Sequence, residues 1–247
     1  MPDYDRHFYE DLATTALPSA RRIVPIVLEL VAVRSVVDVG CGDGSWLAVF
    51  RELGVADVFG VDGDWVDTDQ LKIPLDSFAP RRLDEALAIG RRSDLAISLE
   101  VAEHLWPDRA AGFVGELCGL APVVLFSAAI PHQGGHNHFN EQWPGYWAEL
   151  FAAQEYRPVD VLRLRIWDDP GVTWWYKQNI MLFANDAGLT AHPRLAAARK
   201  HAPAVPPPLV HPDKYRELVR LTQPSFGRWL KMAMAAFRRS VRKRAGA

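Results

Sequence analysis

Val36-Val37-Asp38-Val39-Gly40-Cys41-Gly42-Asp43-Gly44-Ser45-Trp46-Leu47 is the stretch that decides the fold. An apolar, β-branched run suited to a buried strand feeds a turn with glycine at every second position, and helical spacing starts at Ser45. Glycines at 40, 42 and 44 permit a tight turn and leave no Cβ where a ligand must lie against the main chain. Strand, glycine-rich turn and helix in that order describe a nucleotide-type cofactor site. The dinucleotide fingerprint is Gly-x-Gly-x-x-Gly and grips a pyrophosphate at the helix N-terminus. Here the third glycine position holds Ser45, and Asp38 sets a carboxylate beside the turn. That carboxylate would repel a diphosphate and suits a cofactor bearing a cationic amino-acid group.

Three further segments follow. Val58-Phe59-Gly60-Val61-Asp62 is a short strand ending in a carboxylate, and Arg82-Leu83-Asp84 pairs an apolar residue with an acid. Ser93-Asp94-Leu95-Ala96-Ile97-Ser98-Leu99-Glu100-Val101-Ala102-Glu103-His104-Leu105 is a strand running into an acidic, His-containing loop. Together with the glycine turn they resemble, in order, the motifs of class I S-adenosylmethionine-dependent methyltransferases of the small-molecule type, over residues 34–185. The resemblance implies an α/β fold built on a doubly wound, mostly parallel, seven-stranded Rossmann-like sheet. It implies that Asp38, Gly40, Cys41, Gly42 and Gly44 cradle the methionine end of S-adenosylmethionine. Asp62 would take the ribose hydroxyls, Leu83 and Asp84 the adenine, and Leu99 and Glu100 the side of the cofactor that faces the substrate.

With 247 residues, 49% of them apolar, the chain can bury a substantial core. No apolar run approaches the ~20 residues of a membrane span, and the charged start Met1-Pro2-Asp3-Tyr4-Asp5-Arg6 lacks the apolar core of a secretory signal. Cys41 and Cys118 are the only cysteines, so a soluble protein of the reducing cytoplasm, without a disulfide framework, is expected. Net charge is −2, yet from Phe226 onward there are seven basic residues and no acidic one. The remainder is therefore acidic, which argues against a nucleic-acid groove across the main domain.

Three regions are expected: a methyltransferase domain over 1–190, a Pro-rich linker over 191–212 and a basic amphipathic helical tail over 213–247. Residues 7–33 read as an N-terminal helical segment divided by Pro18 and Pro25. Val58–Val61, Leu95–Leu99 and Val123–Phe126 read as buried parallel strands, with a helix over Asp108–Leu120. Tyr156–Ile166 and Trp174–Phe183 read as the last two strands, antiparallel to the rest. In the tail, Phe226, Trp229, Leu230, Met234, Phe237 and Val241 recur at helical spacing. Such a face can dock on its own domain, on a second copy in a homodimer, or on the anionic inner face of a membrane.

Phe126-Ser127-Ala128-Ala129-Ile130-Pro131-His132-Gln133-Gly134-Gly135-His136-Asn137-His138-Phe139-Asn140-Glu141-Gln142-Trp143 carries three of the eight histidines within seven residues, at the rim of the expected cleft. Gly134-Gly135 would let this loop close over a substrate. An alcohol acceptor must lose a proton, and neutral imidazole is a fitting base near pH 7. His138 and His136 are the candidates, with His104 as a third. A divalent cation such as Mg2+ is the alternative, held by His136, His138, Glu141, Glu100 and Glu103 around a vicinal diol. Two histidines at i and i+2 do not by themselves define such a site, so no residue is assigned to metal. The aromatic-rich stretch beyond it, with Gln178 and Asn179, suits a sugar or natural-product acceptor; phenolic and amine acceptors remain open. Two other classes stay in view, an NAD-dependent oxidoreductase on the same sheet and a non-catalytic scaffold. The glycine spacing and Asp38 weigh against the first, and the intact motifs against the second.

Overall fold

The computed structural model describes residues 6–222 together with 226, 227, 229–231 and 234, with only the backbone described for 6–14. The chain divides into two units, Met1–Leu209 and Val210–Ala247.

In the first unit, β1 (Ser35–Val39), β2 (Asp57–Asp62), β3 (Phe78–Pro80), β4 (Leu95–Leu99), β5 (Val123–Ser127), β6 (Arg157–Val159) and β7 (Met181–Ala184) form one sheet ordered β3-β2-β1-β4-β5-β7-β6. All neighbouring pairs are parallel except those of β7, which runs antiparallel to both β5 and β6. β6 therefore points with the other strands, and only the last strand is reversed. The helices of this unit are α1 (Arg6–Leu30), α2 (Ser45–Glu52), α3 (Ala110–Leu120), α4 (Pro144–Ala152), α5 (Leu162–Ile166), α6 (Trp174–Asn179), α7 (Asp186–Ala191) and α8 (Pro193–His201).

Side-chain alternation along the strands creates two cores. Val36, Leu95, Ile97, Val123 and Leu125 meet Ile23, Val24, Leu47, Phe50, Leu162 and Tyr176 on one face. Val37, Val39, Ala96, Val124 and Phe126 meet Phe113, Val114, Leu117, Trp147 and Phe151 on the other. Phe151 stacks on Phe183 with centroids 3.8 Å apart, and Phe126 meets Phe151 edge-on at 5.3 Å. Both faces of the sheet are covered, which explains why its strands read as continuous apolar runs.

Three expectations are corrected. Pro18 and Pro25 lie inside α1 and do not divide it. The buried stripe Ala16, Ala20, Ile23, Val24 and Val27 holds the helix on the core, while Ser19 Oγ donates to the Thr15 carbonyl 2.7 Å away. Of Tyr156–Ile166 only Arg157–Val159 is strand, and Leu162–Ile166 is helical. There the buried Arg163 guanidinium pairs with Asp160 and donates to the Gln178 and Pro207 carbonyls at 3.1 and 3.0 Å. Of Trp174–Phe183 only the end is strand; Trp174–Asn179 is α6. Its aromatic residues have strand propensity, but Tyr176 packs edge-on against Trp46 at 5.2 Å, and tertiary contact overrides propensity.

Residues 186–201, partly within the expected linker, form α7 and α8, with Leu195 fully buried. In the second unit, α9 (Pro212–Thr222) is followed by helical residues among those described beyond it. Phe226, Trp229, Leu230 and Met234 are exposed, and the expected Phe237 and Val241 lie outside the described residues.

Candidate active site

At the carboxyl end of β1 the chain turns through Gly40, Gly42 and Gly44, with φ of 87°, 53° and 77°. Gly40 and Cys41 donate to the Val61 carbonyl at 2.7 and 3.2 Å, which ties the turn to β2. These left-handed angles bear out the expected need for backbone freedom, and at two of the glycines packing adds a second cause. A Cβ on Gly40 would lie 2.3 Å from Val101 Cγ2, and one on Gly44 would lie 3.0 Å from Ile73 Cγ1. At these two positions the chain's own side chains occupy the space, so the loop is shaped by packing. The Asp43 carboxylate accepts from Ser45 N at 2.9 Å at the start of α2 and pairs with Lys72.

Asp62, at the end of β2, accepts from Gly42 N and Gly63 N, each at 2.7 Å. Burial raises its carboxyl while the two N–H donors hold it down. Asp38 is buried as well, and its carboxyl is raised well above the ordinary value by burial and then by the Asp62 and Asp43 charges. Cys41 is buried in the turn, and burial pushes its thiol up, so it is a space-filling residue and not a nucleophile. Leu83 is buried, whereas Asp84 is exposed and paired with Arg82. That pairing draws Asp84 toward solvent.

The second half of the site begins where β4 ends. Leu99 is buried and Glu100 takes a left-handed backbone, φ 56°, unusual for a residue with a side chain. Its N–H donates to the Ser127 carbonyl at 3.0 Å, and its carboxylate accepts from Gln133 Nε2 at 2.7 Å and Asn179 Nδ2 at 3.1 Å. Gln133 Oε1 in turn accepts from Gln178 Nε2 at 2.8 Å and Asn179 Nδ2 at 2.9 Å. Because β7 is antiparallel, the residues entering it arrive at the carboxyl ends of β4 and β5. Sequence alone marks Gln178 and Asn179 only as donors for a substrate and misses Gln133, whose loop position gives no periodic signal. Tyr176 is buried against Trp46, and its phenol is raised by burial and by the Glu100 and Asp38 charges.

Beyond Glu100, Glu103 is fully buried, and neither carboxylate oxygen has a hydrogen bond of good geometry, although its own and the Ala129 backbone amides lie close. Its carboxyl is raised well above 4.5 by burial and by the charge of Glu100. The rings of His104 and His138 meet edge to face at 4.8 Å. Burial, then the neighbouring His138, lowers His104 to about 4, so it is neutral near pH 7. His138 Nδ1 lies 3.0 Å from Glu141 Oε1, and its ring lies over Gly135, where a Cβ would come within 2.3 Å of it. The Glu141 carboxylate also accepts from His132 N and Gly134 N at 2.7 and 2.8 Å, and these contacts hold its pKa down. His136 is exposed on the loop, yet its backbone and its ring charge both reach His104. Glu141 and Glu100 have their oxygens engaged elsewhere, so the grouping of five residues around a magnesium ion is not what the structure assembles. It brings Glu103, His104 and His138 together instead.

The loop is also less free than its glycines suggest. Phe139 N and Asn140 N both donate to the Glu103 carbonyl, at 2.8 and 3.0 Å, and Gln142 N donates to the Ala129 carbonyl. Trp106 and Phe139 stack at 4.4 Å with both rings exposed next to the His104–His138 pair. This platform also escapes the sequence, because its two halves lie far apart in the chain.

Residues 6–115 match a family model described as a methyltransferase domain. A curated relative, the ubiquinone biosynthesis O-methyltransferase of Methylobacterium sp. (strain 4-46), is 32% identical over 113 residues, which cover 42% of this chain and 44% of that protein. The chain thus spans less than half of that relative. Among solved structures, an O-methyltransferase family protein from Burkholderia thailandensis superposes with a TM-score of 0.53 at 16% identity, covering 74% of this chain and 60% of that one. A small RNA methyltransferase, HEN1, gives 0.50 at 18% identity, covering 68% and 25%. At such identities the likeness is one of fold. Among the described residues no helix is long and apolar enough to cross a membrane. Residues 6–115 are thus similar to a methyltransferase domain, and the sheet order is shared with methyltransferases among the solved structures.

Proposed function

We propose that this chain binds S-adenosylmethionine at the glycine turn and transfers its methyl group to a hydroxyl of a small, ring-bearing molecule, such as a sugar or a natural product. The observation that carries the cofactor assignment is the charge balance of the turn. Asp38 and Asp62 are buried on the adjacent parallel strands β1 and β2, with Asp43 in the turn between them, and the Asp38 carboxyl is raised first by burial and then by the Asp62 and Asp43 charges. An ammonium group set there offsets that repulsion, whereas a diphosphate increases it. S-adenosylmethionine carries such an ammonium and supplies an electrophilic methyl on its sulfonium.

This chain's residues then have distinct tasks. Gly40, Cys41, Gly42 and Gly44 present the turn's backbone to the methionine end, with Asp38 as the countercharge. Asp62, already fixed by two backbone N–H donors, offers its remaining lone pairs to the ribose hydroxyls. Leu83 supplies an apolar surface for the adenine, with Asp84 at its solvent edge. Leu99 and Glu100 stand between the cofactor end and the acceptor end, and the Gln133–Asn179 network holds the Glu100 carboxylate in place. At the acceptor end, Glu141 and the Asn137 carbonyl can only accept hydrogen bonds, so Nδ1 of His138 and of His104 carries the proton in each case. Their Nε2 lone pairs are then the basic atoms at which an acceptor hydroxyl is activated. The exposed Trp106–Phe139 stack offers a ring acceptor a flat apolar face. The O-methyltransferase name of the curated relative supports oxygen as the acceptor atom.

Calorimetric titration with S-adenosylhomocysteine, run beside NAD, tests the cofactor half. Micromolar binding of the first alone is expected, lost in Asp62→Ala and weakened at least tenfold in Asp38→Asn. Binding of NAD, or of neither ligand, would overturn the proposal.

A further inference from the structure

Glu103 poses a question that the methyltransfer reading leaves open. A carboxylate with both oxygens buried and without well-formed hydrogen bonds is costly unless it takes up a proton or a cation lies against it. The neighbouring side chains offer nitrogen atoms suited to holding such a cation. One ligating atom from each of Glu103, His104 and His138 lies within 4.8 Å of the other two. Ligands each about 2.1 Å from a common ion stand roughly 3–4 Å apart, so small side-chain rotations close the set.

The surroundings of the two imidazoles match those of metal ligands. Ligating histidines characteristically donate their other ring N–H to a carboxylate or a backbone carbonyl, which fixes the tautomer and raises basicity at the ligating nitrogen. His138 Nδ1 does so to Glu141 Oε1 at 3.0 Å, and His104 Nδ1 to the Asn137 carbonyl at 3.3 Å. Glu141 is itself steadied by two backbone N–H groups. The loop that carries His138 is pinned to the Glu103 carbonyl through Phe139 and Asn140. Ligands and supports thus belong to one hydrogen-bonded assembly.

We infer that Glu103, His104 and His138 form a three-ligand site for a divalent first-row transition ion, Glu103 through a carboxylate oxygen and both histidines through Nε2. Two imidazoles and one carboxylate favour manganese, cobalt or zinc over magnesium, which takes oxygen ligands. Three protein ligands leave coordination positions open, and an acceptor oxygen can occupy one of them; with the ion bound, the ion and not the Nε2 lone pairs it takes up would make that hydroxyl more acidic, and the histidines serve as bases only in its absence. Binding of the ion stands on this geometry alone; its use in orienting the acceptor rests on the methyltransfer proposal.

The full chain, stripped with chelator, is titrated with Co2+ and with Mn2+ by calorimetry, and the Co2+ sample is followed by visible absorption. One equivalent should bind at micromolar concentration, with ligand-field bands of a nitrogen and oxygen site. Affinity should fall at least tenfold in Glu103→Gln and in His138→Ala, while S-adenosylhomocysteine affinity, measured on the same samples, stays within about twofold. That second titration separates failure of the metal site from failure of the cofactor reading. No stoichiometric binding by the unaltered chain, or equal binding in both variants, overturns the inference. Should a variant lose its folded circular-dichroism signal, Mn2+ broadening of histidine ring resonances in the unaltered chain decides. Selective loss of the His104 and His138 signals supports the site, and uniform or absent broadening refutes it.

Discussion

Substituting Gly40 by alanine tests whether packing, and not only backbone freedom, shapes the cofactor turn. At φ 87° an L-residue suffers left-handed strain of about 1–2 kcal/mol. The new methyl would also meet Val101 Cγ2 at 2.3 Å and Cγ1 at 3.0 Å, and overpacking of this kind costs about 1–3 kcal/mol. Gly40→Ala should therefore destabilise the chain by about 2–5 kcal/mol. At about 2–4 °C per kcal/mol for a domain of this size, Tm falls by about 4–20 °C. Val101→Ala alone removes two methyl groups, about 1.6 kcal/mol. In the double variant the two Cγ overlaps are gone, and the backbone strain, the lost methyls and a tight 3.2 Å approach to the Cβ at position 101 remain. The two substitutions should thus couple favourably by about 1–3 kcal/mol in a cycle read by urea unfolding with tryptophan fluorescence. Additivity within about 0.5 kcal/mol would refute the packing account and return the requirement to backbone conformation alone.

Arg163→Met should lower stability by about 3–5 kcal/mol, read as a Tm shift, because Asp160 and the Gln178 and Pro207 carbonyls lose a buried charged partner; a loss under 1 kcal/mol would mean that water replaces the guanidinium. Glu103 is raised above its ordinary 4.5, so the folded chain holds this proton more tightly than the unfolded one. The stability it contributes is full below pH 4.5 and is lost as the pH climbs through the raised value. Glu103→Gln should remove that slope and leave the metal-free chain about 1–3 kcal/mol more stable than the unaltered one at neutral pH. A pH–stability curve of unchanged shape would contradict the burial account. His104, lowered to about 4, acts in the opposite sense: its contribution is present above 6.5 and is lost as the pH falls toward 4, so His104→Gln should flatten acid unfolding across that window. His138→Ala should cut methyl transfer at least a hundredfold while sparing S-adenosylhomocysteine binding, and unchanged turnover would remove the pair from the chemistry.

Legibility from sequence follows the range of the forces involved. Strands β1, β2, β4 and β5 can be read because burial on both faces leaves unbroken β-branched runs. The end of α2 can be read because Gly54, at φ 95°, closes it with Gly54 N donating to the Arg51 carbonyl and Val55 N to the Phe50 carbonyl. The aromatic stretch at 174–179 misleads, since its helix is set by burial of Tyr176 against Trp46, more than a hundred residues away. Prolines at 18 and 25 signal breaks that a strongly packed helix face overrides. At the candidate site, the glycine turn, Asp38 and Asp62 are adjacent to strand ends and carry a local signal. The Glu100–Gln133–Asn179 network and the Trp106–Phe139 stack join residues from separate loops, and no spacing in the chain announces them.

The shared Glu103 carbonyl has a consequence for experiment. Two amide protons, those of Phe139 and Asn140, depend on one acceptor, so neither can exchange with solvent unless the loop leaves the turn that carries Glu103 and His104. Their deuterium uptake should then follow a common rate, and any molecule that seats against the Trp106–Phe139 stack or the histidine pair should slow both together. Isotope exchange at two backbone positions thereby becomes a screen for acceptors in which the methylated product need not be identified first.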